Sequence, residues 1–82
     1  MELYFTRHAR NRMRLYEISQ EEVREVLDHA EKVTAGPFGR QHAWKRGVHG
    51  QWLRVTFRDE PARRIVITVT LKQKFAGEAN AH

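Results

Sequence analysis

The amino-terminal segment, residues 3–16, carries the most unusual local chemistry of the chain. Between its ends there is no acidic residue, and its basic side chains are Arg7, His8, Arg10, Arg12 and Arg14. If Thr6 caps a short helix over residues 7–13, residues four apart share a face and His8 lies beside Arg12. A titratable imidazole next to a permanent cation suits the handling of a phosphate group. The alternative that stays open is a solvated basic helix that covers a sheet.

A second group of polar side chains falls on segments that alternate polar and apolar residues, as strands do. These segments are residues 40–46, 51–58 and 64–72. One face of the sheet would offer guanidinium and hydroxyl donors for phosphates and indoles for stacking on bases. An ordinary solvated face is the competing interpretation, because threonine and arginine both suit strands. The side chains concerned are His42, Trp44, Trp52, Arg54, Thr56, Arg58, Thr68, Thr70 and Lys72.

Together, the two groups contain what a metal-independent endoribonuclease needs. Attack of a ribose 2′-OH on the adjacent phosphate requires a base, a cation for the developing charge and an acid for the leaving oxygen. We predict His8 as a proton carrier and Arg12 with Arg54 as the phosphate clamp. The first helix and this polar face of the sheet must then meet at one edge. The second proton carrier is His42 or Lys72. We expect RNA contacts from Arg7, Arg10, His42, Trp44, Thr56, Arg58, Thr68 and Thr70.

The overall charge favours a polyanionic partner. The formal net charge is +5, and eleven of the fifteen basic residues are arginine. Arginine binds a phosphate through two parallel hydrogen bonds, whereas lysine acts as a hydrated point charge. We therefore expect RNA or the ribosome as partner. A basic protein that is neutralised by an acidic protein is the alternative.

Composition excludes several other classes of protein. The five histidines lack the paired spacing of metal ligands, and there is no cysteine and no glycine-rich nucleotide loop. We therefore predict neither a metal nor a cofactor. The absence of cysteine fits a reducing compartment, which we take to be the cytoplasm. No apolar run approaches the ~20 residues that span a bilayer, so we expect no membrane contact.

Two helices are predicted ahead of the three alternating segments. Ser19 and Glu22 have the spacing of a capping box, and the stripe that follows is Val23, Val26, Leu27 and Ala30. Residues 1–5 and 31–35 have the character of short strands. We predict an α+β domain with the order β-α-α-β-β-β over residues 1–75, followed by a flexible tail at residues 76–82. Both helices should pack on the face of an antiparallel sheet that carries Leu53, Val55, Phe57, Ile65, Ile67, Val69 and Leu71.

Four runs of the sequence also resemble a known family. They are Phe5-Thr-Arg-His-Ala-Arg-Asn-Arg-Met-Arg14, Ile18-Ser-Gln-Glu-Glu-Val23, Leu53-Arg-Val55 and Ile67-Thr-Val69. The chain resembles the domain-of-unknown-function 4258 family, small prokaryotic domains related in fold to RelE-like toxins. The resemblance implies a RelE-like fold and a ribonuclease or ribosome-linked toxin role. RelE-type ribonucleases often carry a catalytic tyrosine, arginine or lysine near the last strand, whereas this chain has no tyrosine after Tyr16.

Three functions therefore remain as expectations. The first is a metal-independent endoribonuclease of the toxin type, with an acidic antitoxin as protein partner. The second is an RNA or ribosome binder that uses the same surface without catalysis, and its binding would depend steeply on salt. The third is a structural or partner-binding domain, in which the arginine-rich helix pairs with an acidic antitoxin-like segment or His8 and Arg12 hydrogen-bond within the fold. A homodimer is a further candidate for the protein partner.

Overall fold

The computed structural model of the protein describes residues 2–47 and 50–72. The elements in chain order are β1 (Glu2–Phe5), α1 (Arg7–Tyr16), α2 (Gln20–Asp28), β2 (Lys32–Ala35), β3 (Gln41–Arg46), β4 (Trp52–Asp59) and β5 (Arg63–Lys72). The predicted tail at residues 76–82 and the predicted domain end at residue 75 lie outside the described residues. Neither of the two described helices is long and apolar enough to cross a membrane.

The strands form one five-stranded mixed sheet in the order β1-β5-β4-β3-β2. Strands β2 to β5 pair antiparallel, whereas β1 pairs in parallel with β5. The α+β class with two helices is confirmed. The predicted order β-α-α-β-β-β has one strand too few, because the strand predicted at residues 31–35 is present as β2 but was not counted in it. The sheet is also not wholly antiparallel. Both differences have physical reasons. Strand β2 is only four residues long, and β1 pairs with β5, from which two helices and three strands separate it in the sequence.

Thr6 turns the chain from the edge strand β1 into α1. Its hydroxyl accepts a hydrogen bond from the backbone N–H of Ala9 at 3.0 Å, which confirms the predicted N-cap. The same hydroxyl donates to the carbonyl of Ile67 at 2.8 Å. Helix α1 therefore starts beside β5 and packs on it, with Ala9 and Met13 buried. It runs to Tyr16, past the predicted end at residue 13.

Helix α2 begins at the predicted capping box. The backbone N–H of Glu22 donates to the Ser19 hydroxyl, and the Glu22 carboxylate accepts from the backbone N–H of Ser19, both at 3.1 Å. Val23 and Val26 of this helix are buried. They share one hydrophobic core with the buried residues of α1, so both helices cover the same face of the sheet.

One β-bulge changes the face that β5 presents to the helices. The register of β5 against β4 shifts at Ile67, which has no partner on β4. An extra residue of this kind reverses the alternation of the strand on one side of it. Val66 therefore joins the core beneath the helices, in place of the predicted Ile65 and Ile67. The predicted core positions that are confirmed are Leu53, Val55, Phe57 and Val69.

Helix α1 ends at Glu17, whose backbone is in the left-handed conformation. Glu17 has a φ of 56°, and the N–H of Ile18 donates to the carbonyl of Met13 at 2.8 Å, as in a Schellman motif. A left-handed conformation is costly for any residue with a Cβ. We expect Glu17→Gly to raise the free energy of unfolding by roughly 0.5–1 kcal/mol in a denaturant melt. The matched control is Glu25→Gly inside α2, which should lower it by about 1 kcal/mol. A Glu17→Gly protein no more stable than wild type would contradict this interpretation.

Candidate nucleic-acid interface

The face of the sheet away from the helices is called here the open sheet face. The strand register places Thr34, His42, Thr56 and Thr68 side by side across β2 to β5. Cross-strand partners point to the same side of a sheet, so one imidazole lies within a line of three hydroxyls, called here the histidine row. His42, Thr56 and Thr68, which the alternation predicted on one face, do share it.

The imidazole of His42 is held from both edges of its ring. Its Nδ1 lies 2.8 Å from the hydroxyl oxygen of Thr56, which is only 3% exposed. On the other edge, a Cβ added at Gly36 would stand 2.7 Å from Nε2. The missing side chain of Gly36 therefore makes the room that Nε2 occupies.

The surroundings of His42 keep its imidazole neutral. Burial lowers the pKa of His42 below the ordinary value of 6.5, and the positive charges of Arg54 and Arg40 lower it further. A neutral imidazole near physiological pH is able to accept a proton. If the Nδ1 proton is donated to the Thr56 hydroxyl, Nε2 carries the free lone pair.

Arg54 lies in the next row of the open sheet face, beside the histidine row. Its guanidinium stands over the ring of Trp44, 5.6 Å from the centroid, and Nη2 donates to the Thr70 hydroxyl at 3.4 Å. Its Nε is buried and has no hydrogen-bond partner among the described residues. Burial lowers the pKa of Arg54, but a guanidinium stays protonated in proteins. The group is thus a fixed cation whose Nε is closed off from solvent.

Two of the predicted RNA contacts, Trp44 and Thr56, lie beneath the surface. Trp44 is 2% exposed, and its Nε1 donates to the Thr34 hydroxyl at 3.0 Å. A base cannot stack on an indole that is covered in this way. Trp44 therefore supports Arg54 and Thr34 from below, and Thr56 positions His42.

The charge of the open sheet face is unbalanced in favour of cations. The only carboxylate on β2 to β5 is Asp59, which pairs with Arg64, and the hydrogen bond from Arg64 lowers the pKa of Asp59. Arg64 lies on the helix side, near Leu27 of α2. In the described part of the chain, no three histidine, aspartate or glutamate side chains form a group that could hold a metal ion. An anion would thus meet little repulsion on this face.

The other predicted residues on the open sheet face differ in their relation to His42. Arg58 is exposed and forms an ion pair with Glu60 at 3.2 Å, so its charge is partly neutralised. Lys72 pairs in register with Trp52, two rows from His42 and roughly 13 Å along the strands. Thr68 and Thr70 are half-buried and belong to the histidine row and the Arg54 row.

The predicted catalytic set divides between the two sides of the sheet. His8 is exposed and Arg12 half-buried on α1, which packs on the helix side. Arg54 and Lys72 belong to the opposite side, and no hydrogen bond or ion pair joins the two pairs within the described residues. Arg7 and Arg10 of α1 are also exposed, and Nε of Arg10 donates to the carbonyl of Phe5 at 3.3 Å. The arrangement gathers its partners around His42 rather than around His8.

Three residues of this site were not singled out from the sequence. Thr34, Gly36 and Arg40 belong to the short β2 hairpin, whose register against β3 is a tertiary feature. The local signals were the turn composition of Gly36-Pro37 and the alternation of residues 40–46, which placed Arg40 on the face of His42. Nothing in the sequence indicated that the glycine faces the imidazole of His42.

Comparison with known proteins gives one assignment. Searches among curated proteins and among solved structures each found no significant match. A family profile described as Domain of unknown function (DUF4258) matches residues 5–70, which contain both helices, β2 to β4, most of β5 and the whole histidine row. Because the match covers most of the chain, the protein belongs to this family of domains of unknown function.

Proposed function

We propose that the protein acts on RNA through the open sheet face, as a metal-independent endoribonuclease of the RelE-like toxin type. The observation that supports it is the neutral imidazole of His42 beside the fixed cation of Arg54. The relation to RelE-like toxins rests on the family resemblance. An acidic antitoxin would cover the same basic face and compete with RNA for it.

The chemistry assigns a role to each group. For His42 to act as the base, the loop at Gly36 must draw back from Nε2, which then takes the proton of a ribose 2′-OH. The 2′-oxygen forms a bond to phosphorus while the bond to the 5′-oxygen breaks. Arg54 and Arg40 stabilise the negative charge that develops on the phosphate oxygens. Lys72 is too far along the sheet to serve the same phosphate, so the leaving 5′-oxygen takes its proton from water.

A non-catalytic RNA binder is the second candidate, because it needs the same donors and no proton transfer. His42, Arg54 and the hydroxyls of the histidine row would then hold phosphates and riboses only. The two candidates share a binding surface and differ in product formation.

The test uses end-labelled RNA incubated with purified protein in EDTA, both free and as messenger on a ribosome. We expect fragments that end in a 2′,3′-cyclic phosphate, and no cleavage of a DNA oligonucleotide of the same sequence, which lacks the 2′-OH. Binding that weakens steeply with salt but yields no product would select the non-catalytic candidate. A protein that neither binds nor cleaves RNA would refute both.

A further inference from the structure

The loop between β2 and β3 carries an aromatic residue in a conformation that costs energy. Phe38 has a φ of 60° and Gly39 a φ of 75°, and the N–H of Arg40 donates to the carbonyl of Pro37 at 3.2 Å. Positive φ at both central residues is the pattern of a type I′ turn, for which Asn-Gly is the preferred pair. A phenylalanine in the left-handed region is an outlier, and such outliers concentrate at functional sites.

The left-handed conformation of Phe38 does not bury its side chain. Phe38 is 86% exposed, more than any other described aromatic residue. Trp44 and Trp52 are 2% and 5% exposed, and the exposed ring of Tyr4 is covered by the guanidinium of Arg63 at 4.7 Å. Phe38 is therefore the aromatic face that the described part of the chain offers to a ligand.

The loop also places the backbone of Phe38 close to two residues that lie beside the histidine row, Gly36 and Arg40. Gly36 lies against Nε2 of His42, and the charge of Arg40 acts on the same imidazole. Phe38 is two residues from Gly36 and two from Arg40, so its Cα is within about 7 Å of the Cα of each. A hydrogen bond from the N–H of Gly36 to the carbonyl of Arg40, at 2.9 Å, closes the base of the loop.

We infer that Phe38 is the stacking platform for an unpaired nucleobase of a single-stranded RNA whose phosphate lies at Arg40 and His42. The inference rests on the proposed function and specifies its substrate class. Stacking on an aromatic ring needs a base splayed out of a helix, which single strands and loops supply and a regular duplex does not. Phosphate contacts at Arg40 and Arg54 would set the backbone in place, and the ring would take the base.

The experiment measures affinity for a fluorescent, non-cleavable 2′-O-methyl oligoribonucleotide, with inorganic polyphosphate as a ligand that has charge but no bases. We expect Phe38→Asn to weaken oligonucleotide binding about 10-fold and to leave polyphosphate binding unchanged. Phe38→Trp should keep or improve oligonucleotide affinity. Asn-Gly suits the turn, so Phe38→Asn should melt no lower than wild type, which separates a lost contact from a lost fold.

Each outcome decides the inference. If wild type and Phe38→Asn bind the oligonucleotide equally, the stacking role is refuted and the proposed function stands. If Phe38→Asn instead abolishes self-association and leaves RNA affinity unchanged, the ring is a protein contact and the inference is refuted. If wild type binds no RNA, the proposed function and the inference are both refuted.

Discussion

Replacing His42 with asparagine is expected to reduce RNA cleavage by at least about 100-fold, because it removes the group that accepts the 2′-OH proton. The asparagine amide can occupy the place of Nδ1 and keep the hydrogen bond to the Thr56 hydroxyl, so the fold should persist. In wild type, activity should rise with pH through a midpoint below 6.5, since burial, Arg54 and Arg40 lower the pKa of His42. Initial cleavage rates between pH 4.5 and 8 measure both effects.

The matched control for this prediction is His8→Asn on α1. His8 is exposed on the helix side, so its replacement should leave the cleavage rate within about twofold of wild type. If His8→Asn abolished cleavage and His42→Asn did not, catalysis would have to be assigned to α1. Loss of activity in both variants would mean that the two sides of the sheet cooperate, as the sequence pattern predicted.

Gly36→Ala is expected to disturb the same site from the opposite edge of the imidazole ring. The added Cβ would stand 2.7 Å from Nε2 of His42, so the ring must turn away and strain its hydrogen bond to Thr56. Overpacking of this kind typically costs 1–3 kcal/mol, and we expect a loss of about 1–2 kcal/mol in the free energy of unfolding together with a large loss of cleavage. Denaturant melts and cleavage rates of the same preparation measure the two effects.

Two controls isolate the contact between Gly36 and His42. Gly47→Ala is a matched substitution, because a Cβ there would meet only the carbonyl of Gln51 at an ordinary 3.5 Å. In a His42→Ala background the clash has no partner, so Gly36→Ala should then cost at least about 1 kcal/mol less. Equal costs in the two backgrounds would show that Gly36 and His42 do not interact.

The local elements of the fold and the antiparallel pairing of β3, β4 and β5 were predictable from the sequence, whereas the bulge in β5 and the pairing of β1 were not. The N-cap Thr6 and the capping box of Ser19 and Glu22 act through residues three positions apart, so sequence patterns report them directly. The bulge at Ile67 depends on how β5 pairs with β4, and alternation alone places Ile65 on the wrong face. The parallel pairing of β1 with β5 is likewise a tertiary choice.

The candidate site was likewise predictable in part, where local alternation determines the position of a side chain. Alternation was enough to place His42, Thr56 and Arg54 on one face of the sheet, because the side-chain period of a strand is two. The contact of Gly36 with the imidazole required the β2–β3 register, and the covering of Trp44 required the packing around it. The basic charge of α1 led to the prediction of His8 as a catalytic residue. The density of charge on a helix does not indicate on which side of a sheet that helix packs.

The most direct test of the central claim is to find which side of the sheet touches RNA. Backbone amide signals of isotope-labelled protein can be followed by NMR during titration with the non-cleavable 2′-O-methyl oligoribonucleotide. We predict saturable shifts concentrated at Phe38, Arg40, His42, Arg54 and Thr68, with little change along Arg7–Tyr16. Shifts concentrated in α1 and absent from the open sheet face, or no saturable shift at all, would contradict the account.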